Sequence, residues 1–181
     1  MRYKIFILPG MLCACLFLNA REIRIIPEPV PLLPPPGHFE FGRITDIYTA
    51  KNNPLLKEVI MLFTRQFRVA SGNAFLLKEE SPGAQFTGIR ISLDSSLKSF
   101  GKEAYSLNVS ATAIRINAVS GAGVFYALET LKQLLPAAFY SPLKRSDIEW
   151  RVPCVSILDY PQFAYRGMHL DVSRHFFKID F

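Results

Sequence analysis

The residues whose types and spacing could do chemistry crowd into one stretch, Tyr165-Arg166-Gly167-Met168-His169-Leu170-Asp171-Val172-Ser173-Arg174-His175-Phe176-Phe177. Met168 to Val172 alternates apolar and polar residues as a strand does. His169, Asp171 and His175 are metal-ligand types, but side chains along one strand point in a line and do not converge on an ion, so no metal is expected. Ser173 has no base placed by spacing to activate it as a nucleophile. An aspartate buried in a strand must be paired, and Arg166, Arg174 or the backbone could serve Asp171 in that way. Arg174 follows the end of the alternating run, and its planar fork can hold two adjacent oxygens. Elsewhere the chain offers less. No His-Glu-x-x-His occurs, which removes a zinc-protease-like reading. Ser120-Gly121-Ala122-Gly123 resembles a phosphate loop only in its glycines, because it lacks both the Gly-Lys-Ser/Thr ending and the Gly-x-Gly-x-x-Gly spacing.

The elements that must position this stretch are legible upstream. Phe39 to Thr49 alternates well enough for a strand. Asn53-Pro54 opens a helix, with a capping side chain and a proline suited to the first turn. Leu55, Leu56, Val59, Ile60, Leu62, Phe63 and Phe67 fall at helical spacing, and Ser71-Gly72-Asn73 ends the run. Phe86 to Leu93 predicts a strand with Ile89, Ile91 and Leu93 on one face. Tyr105–Val109 and Ile114–Ala118 predict a hairpin around Ser110-Ala111-Thr112. A second helix follows the glycines, with Val124, Phe125, Leu128, Leu131, Leu134 and Leu135 on its apolar side, and Pro136 stops it. The glycines there permit a tight turn and close helix-on-sheet packing. Ile148 to Ile157 is a further extended segment. Strands joined by hairpins as well as by helices argue for an α+β domain: an antiparallel or mixed sheet with two helices on one face.

Placed in this order, the phrases resemble the β-N-acetylhexosaminidases of glycoside hydrolase family 20. The final stretch matches the opening of that family's catalytic barrel through Arg166, Gly167, Asp171, Ser173, Arg174, His175 and Phe176. Glu103–Val109, Ile114–Ala118, Gly123–Leu134 and the linker phrases Val152-Pro153, Ile157–Pro161 and Phe163–Gly167 resemble its small non-catalytic domain and the passage into the barrel. The resemblance covers roughly residues 22–181. It implies a non-catalytic α+β domain over 39–153 and, over 154–181, a linker and the first strand of a truncated (β/α)8 barrel. It makes Arg174 the substrate-binding arginine, donating to ring hydroxyls of a terminal N-acetylhexosamine. The alternative for Arg174 is a structural arginine paired with Asp171. Arg166, Asp171 and His175 are supporting residues. The resemblance implies no cofactor. It implies a retaining, substrate-assisted hydrolysis in which the sugar's 2-acetamido carbonyl attacks the anomeric carbon. The Asp-Glu pair that assists this chemistry in the family has no counterpart here, since no Asp-Glu dipeptide occurs in the 181 residues. The fragment is therefore expected to be inactive alone, and N-acetylglucosamine- or N-acetylgalactosamine-terminated glycans are the expected partners of the whole enzyme.

Composition bounds the alternatives. Half the residues are hydrophobic, enough for a packed core. The net charge is +6, of which Arg2 and Lys4 contribute two, leaving +4 scattered along the chain. With no basic cluster, nucleic acid is not an expected partner. Residues 1–20 read as an export signal: Arg2 and Lys4, then an apolar run from Ile5 to Leu18. That run is too short for a membrane span of roughly 20 residues. Cys15, in Leu12-Cys13-Ala14-Cys15, offers a second reading as a lipoprotein anchor. Residues 21–38 carry six prolines and read as an extended lead-in, with a proline-motif ligand as the alternative. Past the leader only Cys154 remains, a small buried hydrophobe with no disulfide partner. A non-catalytic exported structural or glycan-binding module is the second reading of the chain as a whole.

Overall fold

The computed structural model describes residues 23–29, 32–50, 53–79, 83, 85–169, 171 and 173. The leader, Cys13, Cys15, Arg174 and His175 lie outside the described residues. Nine strands and two helices are formed among them: β1 (Leu32–Leu33), β2 (His38–Glu40), β3 (Ile44–Thr49), α1 (Pro54–Ser71), β4 (Ala74–Lys78), β5 (Gly88–Leu93), β6 (Tyr105–Val109), β7 (Ala113–Ala118), α2 (Gly121–Leu134), β8 (Arg151–Pro153) and β9 (Val155–Asp159). A 3-10 turn, Ser95–Phe100, links β5 to β6.

Seven strands make one mixed sheet in the order β1-β9-β6-β7-β5-β3-β4, and β2 pairs with β8 in a small separate ladder. β3 is parallel to β4 and β5, and β5 to β7; β6 is antiparallel to β7 and β9. Because side chains alternate across a strand, this register sorts the sheet into rows. Ile47, Ile89, Ile114, Val109 and Val155 stand side by side across five strands, all buried. Thr49, Ile91, Ile116, Leu107 and Ile157 form the next row on the same face, also buried. The opposite face is polar and half-buried.

Both helices cover the apolar face; they touch each other, and α2 lies against β6 and β7. α1 starts where Asn53 Oδ1 accepts the Leu56 amide at 3.2 Å and ends where Gly72, at φ 76°, returns its amide to the Arg68 carbonyl. It buries Leu56, Ile60, Phe63, Phe67 and Ala70, a four-three spacing that puts one stripe inward and leaves Leu55 and Leu62 exposed. Phe67 is the hub of an aromatic cluster, with Phe41, Phe75, Trp150, Phe63 and Phe139 rings 4.8 to 6.0 Å away. α2 begins at Ser120, whose hydroxyl accepts the Gly123 amide and donates to the Lys102 carbonyl. A Cβ on Gly123 would sit 2.7 Å from the Ala104 carbonyl, so the glycine sets how closely α2 can lie on the sheet.

The α+β architecture with both helices on one face is as the sequence predicts, and three segments depart from its reading. The strand expected over Phe39–Thr49 is two strands in two sheets, because the chain turns at Gly42-Arg43. The extended segment Ile148–Ile157 likewise divides at Cys154 between β8 and β9. Cys154 is buried there and unpaired, and burial raises its thiol pKa. β4 was not expected at all. Phe125 lies partly exposed, off the apolar side assigned to it, whereas Leu93 shares the face of Ile89 and Ile91 as expected and is exposed only because it ends the strand. The lead-in packs closely: Ile25 is buried, and the Gln133 side chain both accepts from the Ile26 amide and donates to its carbonyl, at 2.9 and 3.1 Å.

Candidate sugar-binding segment and its anchor

The segment that carries the candidate site leaves the domain at Asp159 and is tied back to it at successive points. The first is inside the fold. Tyr105, at the start of β6, is buried; its hydroxyl donates to Asp159 at 3.0 Å and accepts from the Thr130 hydroxyl at 2.6 Å. Burial raises the phenol well above its ordinary value, so it stays a donor at any physiological pH. Next, the Tyr160 ring lies 5.0 Å from Phe100 of the 3-10 turn.

The third tie is Arg166. Its guanidinium pairs with the carboxylate of Glu103, which precedes β6, and donates to the Tyr126 hydroxyl at 3.3 Å. The same group lies 5.7 Å from the centre of the Tyr126 ring and also donates to the Phe163 carbonyl at 3.0 Å. Tyr126 is on the first turns of α2 and points outward because Val124, Ala127 and Leu128 take the inward stripe. The hydrogen bond that Arg166 donates to Glu103, followed by the one it donates to Tyr126, holds its charge more firmly than in free arginine. Arg166 thus ties the segment to the α+β domain through Glu103 and Tyr126.

Of the partners offered for Asp171, the backbone is the one it meets among the described residues. Asp171 is exposed, and its carboxylate accepts the Ser173 amide at 2.8 Å, which draws its pKa below the usual range. It is neither buried nor paired with Arg166, which is committed to Glu103. None of the described residues after Asp159 is in a strand, and His169 is exposed. The structure therefore brings Arg166 into contact with the α+β domain and leaves Asp171 in a local turn. Sequence reading missed Glu103 and Tyr126, which lie 63 and 40 positions away from Arg166. Both fall inside phrases already singled out, Glu103–Val109 and Gly123–Leu134, and that was the only signal. Among the described residues no group of three His, Cys, Asp or Glu could hold a metal, and no helix is long and apolar enough to cross a membrane.

A mixed sheet with two helices on one face is the fold that this chain shares with the corresponding part of glycosyl hydrolase family 20 structures. The chain belongs to glycosyl hydrolase family 20: residues 22–160 match its domain 2. It is 34% identical over 160 residues to a β-hexosaminidase of Porphyromonas gingivalis strain ATCC BAA-308 / W83, covering 88% of this chain and 20% of that one. It is 31% identical over 159 residues to a β-N-acetylhexosaminidase of Cellulomonas fimi, covering 88% of this chain and 30% of that one. Among solved structures it resembles the N-acetyl-β-hexosaminidase of Streptomyces plicatus in complex with Thio-NAglucal, with a TM-score of 0.76, 31% identity, and coverage of 87% of this chain and 30% of that one. The GH20 β-N-acetylhexosaminidase of Streptomyces coelicolor A3(2) gives a TM-score of 0.74 and 30% identity, covering 85% of this chain and 30% of that one. The chain thus spans less than a third of the length of these relatives.

Proposed function

We propose that this chain is the N-terminal part of an exported exo-glycosidase that removes terminal N-acetylhexosamine from glycans by a retaining, substrate-assisted mechanism. The observation that carries this reading is the family 20 domain over residues 22–160, followed at once by the Arg166-to-Phe176 motif. The relatives named β-hexosaminidase, and the Streptomyces plicatus enzyme in complex with its product GlcNAc, support an N-acetylglucosamine-type substrate. In this reading Arg174 donates to the ring hydroxyls of the terminal sugar, where a planar fork suits two neighbouring oxygens. Asp171 and His175 support it, and Arg166 fixes the segment against the α+β domain. The catalytic Asp-Glu pair lies on a later part of the barrel, and the 181-residue chain alone is inactive. Residues 1–20 direct export, with lipid attachment at Cys15 as the variant form of that address.

Hydrolysis of a chromogenic N-acetylglucosaminide tests the reading, comparing this chain with a longer product that continues through the barrel. Activity in the longer product alone is the expected result. Arg174→Ala in that product should lower kcat/KM by 10²-fold or more, on the order of the ~3 kcal/mol that losing a charged hydrogen-bonding group costs. No hydrolysis by either would favour a non-catalytic module, and hydrolysis by the 181-residue chain would overturn the assignment of the catalytic pair.

A further inference from the structure

The face of the sheet turned away from the helices carries a second feature. Register places Tyr48, Arg90, Arg115, Asn108 and Ser156 in one row across β3, β5, β7, β6 and β9. Arg90 and Arg115 are direct neighbours on parallel strands. Neither has a carboxylate partner among the described residues, and like charges directly opposite one another on a sheet destabilise it. Asp46, on the same face of β3, is spent on Lys78 at 2.8 Å and on the Tyr48 hydroxyl. What the arginines have is a ring. The Arg90 and Arg115 guanidiniums lie 5.5 and 4.9 Å from the centre of Phe86, which packs edge-on to Tyr48 at 5.6 Å. Arg90 Nε is buried without an acceptor. Two half-buried guanidiniums are thus held in fixed positions by an aromatic surface, with charge and donors uncompensated. Beside them, Ser156 donates to Asn108 Oδ1 at 2.7 Å and Asn117 to Ser106 at 3.3 Å, so neutral hydrogen-bonding groups continue the face.

We infer that this face binds the carboxylate of a sugar acid on an N-acetylhexosamine-containing glycan. Arg90 and Arg115 take the carboxylate, and the neutral polar row takes adjoining hydroxyls. A planar carboxylate matches the guanidinium fork, and rings flanked by amides and hydroxyls suit a sugar chain better than an apolar partner. The inference rests on the reading above for the amino-sugar part of the ligand. It adds a second binding surface, on the α+β domain, which would hold an acidic polymer while its end is trimmed.

Isothermal titration of the full chain with a defined glucuronate–N-acetylglucosamine oligosaccharide tests it, against a neutral N-acetylglucosamine oligosaccharide of equal length and a single-stranded oligonucleotide of equal charge. The acidic sugar should bind at least tenfold more tightly than either control. Arg90→Gln and Arg115→Gln should each weaken it at least tenfold while the melting temperature without ligand does not fall, since removing one of two adjacent like charges relieves repulsion. Arg115→Lys, which keeps the charge and loses the fork, should fall between parent and glutamine variant. Equal binding of the neutral sugar, oligonucleotide binding as tight as the acidic sugar, or indifference to the folded arginine variants would each overturn the inference. The two readings fail separately. Acid binding without hydrolysis by the longer product removes the enzymatic reading, whereas hydrolysis without acid binding removes this one.

Discussion

Gly123 shows how a single missing atom fixes the height of a helix above a sheet. Alanine is the better helix former by about 1 kcal/mol, so on propensity alone Gly123→Ala should stabilise α2. Its Cβ would meet the Ala104 carbonyl at 2.7 Å and the Ala118 Cβ at 3.0 Å. Overpacking against backbone costs roughly 1 to 3 kcal/mol, and the backbone of β6 is held by hydrogen bonds on both sides. The steric term wins because backbone cannot give way, and Gly123→Ala should destabilise the domain by up to about 2 kcal/mol in urea unfolding, taking both terms together. A gain in stability would show that α2 can ride outward. This residue was legible in the sequence because a glycine pair after a strand and before a helix has few other reasons to be there. The Asn53 cap and the Gly72 terminus were legible for the same kind of reason, each being a local demand met by a local residue. Glu103 and Tyr126 were not, because nothing local asks them to face an arginine dozens of positions onward.

Elements were readable where one face is buried and unreadable where the chain changes layer. α1, α2, β5, β6 and β7 each bury one side, so their apolar period survives in the sequence. β4 is an edge strand whose Leu76 and Leu77 both stay partly exposed, so Ala74-Phe75-Leu76-Leu77-Lys78 has no alternation to detect. The split at Cys154 is invisible for another reason: one residue carries the chain from the small ladder to the main sheet while both halves stay extended. Before β8 the chain is pinned by a fork. Arg145 donates to Asp147 through Nε at 2.9 Å and Nη2 at 2.8 Å, and its amide reaches the Ala70 carbonyl. The fork holds the Asp147 carboxyl down at about 2, from an ordinary 3.8. A carboxyl depressed on folding stabilises above its unfolded pKa and loses that contribution as pH falls through the folded one. The pair should thus contribute fully above about pH 4 and fade toward pH 2, as the cited shift dictates. Both partners are exposed, so the contribution is small: Asp147→Asn should lower melting slightly at neutral pH and flatten the acid limb of the stability curve by the same small amount. A carboxyl carbon titrating near 4 by NMR would break this argument.

At the scale of the molecule, the ties at Tyr105, Phe100 and Glu103 decide whether the segment after Asp159 travels with the domain. Of these, Glu103 with Arg166 lies at the surface and can be removed without touching the core. Glu103→Gln should leave the thermal midpoint of the domain nearly unchanged while limited proteolysis between residues 160 and 169 accelerates several-fold. Unaltered cleavage would mean that Tyr160 and Asp159 hold the segment by themselves. The general architecture of the sheet was readable from the residues alone, yet its strand order was not, because order depends on pairings between segments as much as a hundred residues and more apart.

One such pairing has a further effect. β1 and β9, the outermost strands of the main sheet in sequence, are antiparallel neighbours, Leu32 opposite Ile157 and Leu33 opposite Ser156. The chain therefore arrives at Leu32 and departs after Asp159 from the same corner of the sheet. A module threaded in this way behaves as a loop hung from a single point. It can be added to a longer polypeptide without lengthening the path between the segments on either side of it. It also cannot close during synthesis until its last strand has left the ribosome, because β9 must slide between β1 and β6.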